Sequence, residues 1–334
     1  MDEPSMGYFY HHRAHASPFA FRAKGQTPPQ YDRAFIDKLG NDYVSLRQNH
    51  GLVVGIIQNG EKTIFTFGET EKGNKSRPPE NALFEIGQMS EVFTTSILAV
   101  LESQGKISSQ EAVRDVLKDI VKVPYYQRVV CQRYPNPMPD TDFKLPALVC
   151  FPDPNTQPEV MILCDLATHS AGLPDEPSSR LFAGKNPYKD FSAEKLRKFV
   201  SGLPPNEAFG YEYAHSMIGI ALLAEALTHK TKMDYVTLLQ STLLDPLSMK
   251  HTFAQTKDDY AVPFLNGHGS NGKIVPHRDY NALIPAAGIR SNMPDLLTFL
   301  AANLSIASPK IRCTWRYLKH IAPAFIPICA THNT

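Results

Sequence analysis

The residues with the chemistry for bond-breaking are a few hydroxyls, histidines and carboxylates. Gln88-Met89-Ser90-Glu91 opens an apolar helical stretch, and His215-Ser216-Met217 opens another. Ser90 or Ser216, taken with His215 and Glu91, would make a Ser-His-Glu set. In such a set the histidine draws the proton from the hydroxyl while the carboxylate orients the ring, which is suited to ester or amide hydrolysis. Gln88 and Glu91, three apart on one helix face, would instead favour a cationic or amine ligand. Ser192-Ala193-Glu194-Lys195 has the spacing of a serine activated by a lysine one turn on. Its setting, just before Leu196, fits a helix N-cap better. His11, His12 and His15 cluster near the N-terminus without a carboxylate or cysteine framework, which suits adventitious metal binding more than a built site. Neither a cofactor nor a resident metal is expected.

Several elements must position these groups. Phe35, Leu39, Tyr43 and Leu46 recur at helical spacing, which predicts an amphipathic helix over 30–48. Two β-rich runs, Leu52–Ile57 and Thr63–Phe67, flank Asn59-Gly60. This pair tolerates the positive φ of a tight hairpin turn. Val92, Phe93, Ile97, Val100 and Leu101 predict a largely buried helix ending near Gly105. Pro124, Pro135, Pro137, Pro139, Pro146, Pro152, Pro154 and Pro158 predict an irregular surface excursion over 124–158. Further helices are expected over 193–200, 216–228, 235–244 and 294–304, the last capped by Asn292 with Pro294 in its first turn.

Composition narrows the function classes. Apolar residues form 43% of the 334-residue chain, with 18 Phe and 14 Tyr, enough for a sizeable core. Lys+Arg number 34 against 33 Asp+Glu, for a net charge of +1, so nothing electrostatic points to nucleic acid or an anionic membrane. No run reaches the roughly 18 apolar residues of a membrane span. The first 23 residues lack the pattern of a signal peptide, so a cytoplasmic or organellar location is expected. Cys131, Cys150, Cys164, Cys313 and Cys329 are odd in number and not closely paired, which reads as reduced structural thiols. The sequons at Asn74 and Asn303 carry little weight in that setting.

Five segments in order, Phe84–Glu91, Leu166–Pro174, His215–Leu227, Leu244–Thr252 and Ala286–Ser291, resemble the serine β-lactamase and penicillin-binding-protein family. The nearest branch is that of class C β-lactamases and esterases, and the likeness runs over about Leu52 to Leu304. It implies an α/β (α+β) fold of β-lactamase/transpeptidase type: an antiparallel sheet flanked by helices, plus a helical subdomain. It also implies a mobile extension over 1–27, the related domain over 28–304 and an atypical tail over 305–334, as of a truncated form.

The family's Ser-x-x-Lys motif falls on Gln88 and Glu91, so an amide replaces the nucleophile and an acid replaces the base. Its Tyr-x-Asn motif falls on His215, Ser216 and Met217 in an ungapped alignment, or on Tyr213 and His215 with a two-residue insertion. Lys-Thr-Gly has no match: Lys230-Thr231-Lys232 lacks the glycine, and Gly267-His268-Gly269 comes too early. Ser90, about 200° round the helix from Gln88, should face away from the pocket. The likeness gives His169 a place in a structural turn and no catalytic role. The resulting expectation is a pseudoenzyme acting as a binding or structural module, with a small molecule in the former pocket or self-association through a sheet edge. A serine hydrolase with a rebuilt site, drawing on Ser90, Ser216 or Tyr213, is the alternative.

Overall fold

A computed structural model describes residues 31–46, 49–132, 149–177, 186–204, 209–210, 212–254, 260–269 and 271–304. The chain begins with helix α1 (Arg33–Ser45), whose N-cap Asp32 accepts from the Ala34 N–H. Strands β1 (Gly51–Gln58) and β2 (Glu61–Gly68) follow as an antiparallel hairpin, with Gln58 paired to Glu61 across the turn. Asn59 and Gly60 have φ of 53° and 88°, the left-handed pair expected of that turn. Strand β3 (Leu83–Glu85) leads into a single 3-10 turn (Gly87–Met89) and helix α2 (Ser90–Ser103). Gly105, at φ 67°, ends the helix as its position in the sequence predicts.

Helix α1 forms where expected but does not bury its apolar stripe. Phe35, Leu39, Tyr43 and Leu46 are 46–56% exposed, while Gly40 is buried. A Cβ at Gly40 would meet the Phe67 ring at 2.4 Å. The helix therefore seats its glycine on β2, where the backbone comes closest, and leaves the large side chains outward. Periodicity locates a face but does not say what covers it.

After α3 (Val113–Val116), the described parts of the proline-rich region, on either side of 133–148 which lie outside the described residues, are more regular than composition suggests. Strands β4 (Tyr125–Tyr126) and β7 (Glu159–Val160) pair antiparallel, as do β5 (Val129–Gln132) and β6 (Val149–Pro152). Cys131 faces Cys150 in the second ladder, and the two are joined by a disulfide. This corrects the reading of reduced thiols for that pair, and Cys164 is disulfide-bonded as well. The sequence separation of 19 between Cys131 and Cys150 hides a cross-strand register that spacing alone does not reveal. Disulfides persist in oxidising surroundings, so the cysteines no longer favour a reducing compartment.

The helical part continues with α4 (Leu163–Ala167), α5 (Ala193–Ser201), α6 (Met217–Thr231), α7 (Tyr235–Leu239), which runs on through a π turn over 240–244, and α8 (Asp245–Leu247). Strands β8 (Gly267–His268) and β9 (Ile274–Val275), helix α9 (Ile284–Ala287), strand β10 (Arg290–Asn292) and helix α10 (Met293–Asn303) complete the described chain. β10 pairs antiparallel with β3. Asn292 caps α10 through its side chain, accepting from the Asp295 N–H at 3.0 Å. No helix among the described residues is long and apolar enough to cross a membrane.

The core lies around α2 and α6. In α6 every residue from Met217 to Ala224 is buried, and in α2 so are Phe93, Ile97, Leu98 and Leu101. Val92, counted in the stripe of α2, is 50% exposed, because it lies on the flank away from α6 and α9. Two hydroxyls fix the rotation of α2. Ser90 Oγ donates to the Gly87 carbonyl at 2.6 Å and accepts from the Ile289 N–H at 3.0 Å. Thr94 Oγ1 donates to the Pro285 carbonyl at 2.7 Å and meets the Tyr235 hydroxyl at 2.7 Å. Burial pushes the Tyr235 phenol far above its ordinary range, so this contact stays neutral.

Candidate functional site

Glu91 lies in the first turn of α2, where the positive end of the helix dipole favours a carboxylate. With α2 fixed by Ser90 and Thr94, this carboxylate meets two histidines from distant parts of the chain. Glu91 Oε2 is 3.1 Å from His169 Nε2, and Glu91 Oε1 is 3.0 Å from His215 Nε2. The side chains of Glu91 and His169 are 11% and 12% exposed, and that of His215 is 27% exposed. The group is therefore recessed but reachable from solvent.

Local backbone geometry places each histidine. His169 follows α4 and has φ of 56°, a left-handed conformation that histidine adopts more readily than most residues. Its carbonyl accepts the Ala214 N–H at 2.7 Å, stitching the 168–175 loop to the segment before α6. His215 immediately precedes the N-cap of α6. Ser216 Oγ accepts from the Gly219 N–H at 2.8 Å and donates to the Pro174 carbonyl at 2.8 Å. Asp175 then completes the arrangement: its Oδ1 lies 2.9 Å from His215 Nδ1 and accepts the Met217 N–H at 3.1 Å.

The hydrogen-bond roles follow from the partners. His169 Nδ1 accepts the Ser216 N–H at 3.2 Å, so the neutral ring carries its proton on Nε2, directed at Glu91. His215 has a carboxylate at each ring nitrogen. These are Asp175 at Nδ1 and Glu91 at Nε2. Ligand atoms of Glu91, His169 and His215 all lie within 4.8 Å of one another.

The remaining candidates are placed as follows. Gln88 is exposed in the turn before α2. Ser90 is fully buried with its hydroxyl engaged on both sides. The Ser216 hydroxyl is 2.8 Å from each of its two cap partners, and Met217 is buried in the core. Tyr213 is 72% exposed, its ring edge-on to His169 at 5.7 Å between centroids. Ser192 caps α5, accepting from the Lys195 N–H at 3.3 Å. Ser192→Ala is expected to cost about 1 kcal/mol of stability and to leave reactivity toward acylating reagents unchanged, as paired melting and labelling measurements would show.

His169 and Asp175 are the residues that sequence reasoning missed. His169 was given only a turn role, yet it stands against both Glu91 and His215, its ring 4.6 Å from that of His215 between centroids. Neither type nor spacing marks the two, since each meets Glu91 or His215 only through the packing of distant segments.

This mixed α/β chain, with its helical core, matches a known class. The family described as Beta-lactamase matches residues 36–320, and the chain belongs to that family. Among curated relatives, a β-lactamase of Providencia stuartii is 21% identical over 282 residues, covering 84% of this chain and 62% of the relative. The D-alanyl-D-alanine-carboxypeptidase/endopeptidase AmpH of Escherichia coli (strain K12) is 22% identical over 281 residues, covering 84% and 64%. The chain thus spans less than two thirds of the length of these relatives. A class C β-lactamase structure from Rhodobacter sphaeroides superposes with a TM-score of 0.61 at 21% identity, covering 84% of this chain and 68% of that one. A β-lactamase/D-alanine carboxypeptidase from Yersinia pestis complexed with citrate gives 0.63 at 21%, covering 86% and 74%. These likenesses establish the transpeptidase-like fold.

Proposed function

We propose that this β-lactamase-related chain does not carry out serine acyl transfer and that its former active site serves as a ligand-binding module. The observation that carries the reading is the state of Glu91. Its carboxylate stands where the family motif has an activating lysine and is shared between His169 and His215 at 3.1 and 3.0 Å. An acid there withdraws the positive charge that would favour a nucleophilic alkoxide. The two serines nearest the site support this reading, since Ser90 is fully buried and the Ser216 hydroxyl is engaged at the α6 cap. The relatives are named for β-lactamase and carboxypeptidase activities, and this reading separates the chain from them by chemistry while keeping their fold.

The test is turnover of a nitrophenyl ester and a chromogenic cephalosporin by the wild-type chain and by Ser216→Ala and His215→Ala. Equal, background rates for all three are expected. A wild-type rate well above background that falls about a hundredfold or more in either variant would favour the rebuilt serine hydrolase instead.

A further inference from the structure

We infer that Glu91, His215 and His169 form a binding site for one divalent transition-metal ion of the zinc class, with Asp175 orienting His215 behind it. The inference goes beyond the non-acylating reading and uses the same residues. Two imidazoles and a carboxylate are a donor set suited to zinc and its neighbours. All three ligand atoms lie within 4.8 Å of one another without rearrangement of the backbone. The group is largely buried, which limits competition from bulk water.

The partners beyond the three ligands decide their ranking. Asp175 Oδ1 at 2.9 Å from His215 Nδ1 fixes a proton there and frees Nε2 to bind a cation. This carboxylate–histidine pairing makes His215, with Glu91, the anchor of the site. His169 is the weaker ligand. Its Nδ1 accepts the Ser216 N–H, so binding metal through Nε2 shifts the ring proton to Nδ1 and forfeits that 3.2 Å contact. A cation between Glu91 and His215 would take the position between Oε1 and Nε2, now 3.0 Å apart.

The experiment uses the full chain with His11, His12 and His15 changed to alanine throughout, so that the N-terminal cluster contributes nothing. Protein loaded with Co2+ or Zn2+ is gel-filtered and its metal content measured, with visible absorption followed for Co2+. One equivalent is expected to be retained. E91Q and H215A should lose at least about tenfold in affinity, D175N about tenfold, and H169A less than H215A. No retention by the parent chain, or equal retention by E91Q and H215A shown by circular dichroism to be folded, would overturn the site. A larger loss in H169A than in H215A would overturn the ranking. Should H215A fail to fold, E91Q and D175N carry the test. An acyl adduct on a serine would overturn the proposed function without bearing on metal retention, so the two can fail separately.

Discussion

Glu91→Leu is expected to lower the unfolding free energy by about 2–3 kcal/mol in metal-free buffer near pH 7. Leucine is close to glutamate in volume, so little of this comes from a cavity. The cost falls on the partners. His169 Nε2–H, on a side chain 12% exposed, loses its acceptor, and the first turn of α2 loses a favourable negative charge. His215 suffers less because Asp175 still holds Nδ1. Glu91→Gln should therefore cost about half as much, since an amide oxygen can still accept from one ring. Asp175→Asn, at a side chain 50% exposed, should cost less than about 1 kcal/mol. Urea unfolding checks this series through shifts in midpoint at constant slope. A Glu91→Leu protein as stable as the parent would show that the carboxylate contributes nothing net to the fold.

Phe93→Ala should have the larger effect, about 4 kcal/mol, because it empties the centre of the core. Phe93 is fully buried, and its ring stacks on Phe299 of α10 at 4.2 Å between centroids and 13° between planes. The contact joins α2 to α10, so its loss loosens the helix that carries Glu91. At roughly 2–4 °C per kcal/mol for a domain of this size, the melting temperature should fall by about 10 °C. A fall of only a degree or two would mean that the space between α2 and α10 refills by repacking.

The parts legible in the sequence are those decided by neighbours along the chain. Asn59-Gly60 specifies its hairpin because both residues accept positive φ, and the β1–β2 register follows directly. Asn292 and Ser192 specify helix starts because their side chains reach backbone N–H groups three residues on. The candidate site was legible only in half. Glu91 and His215 could be named from family positions, but their meeting across 124 residues depends on how α2 and α6 pack. His169 is 78 residues from Glu91 and sits in a turn whose left-handed residue was not readable from type. The Cys131–Cys150 bond was hidden likewise, since the prolines around it argue locally against the strands that bring the two together. The stripe on α1 shows the converse failure: the helix was evident, but the side it would bury was not.

The central claim is that no serine in this chain acts as an acyl acceptor. Intact-mass measurement of the folded full chain, after separate exposure to a fluorophosphonate and a penicillin, tests it most directly. An unchanged mass with both reagents is expected on protein that melts cooperatively. A stoichiometric adduct with either reagent, lost on Ser90→Ala or Ser216→Ala, would contradict it and identify the nucleophile.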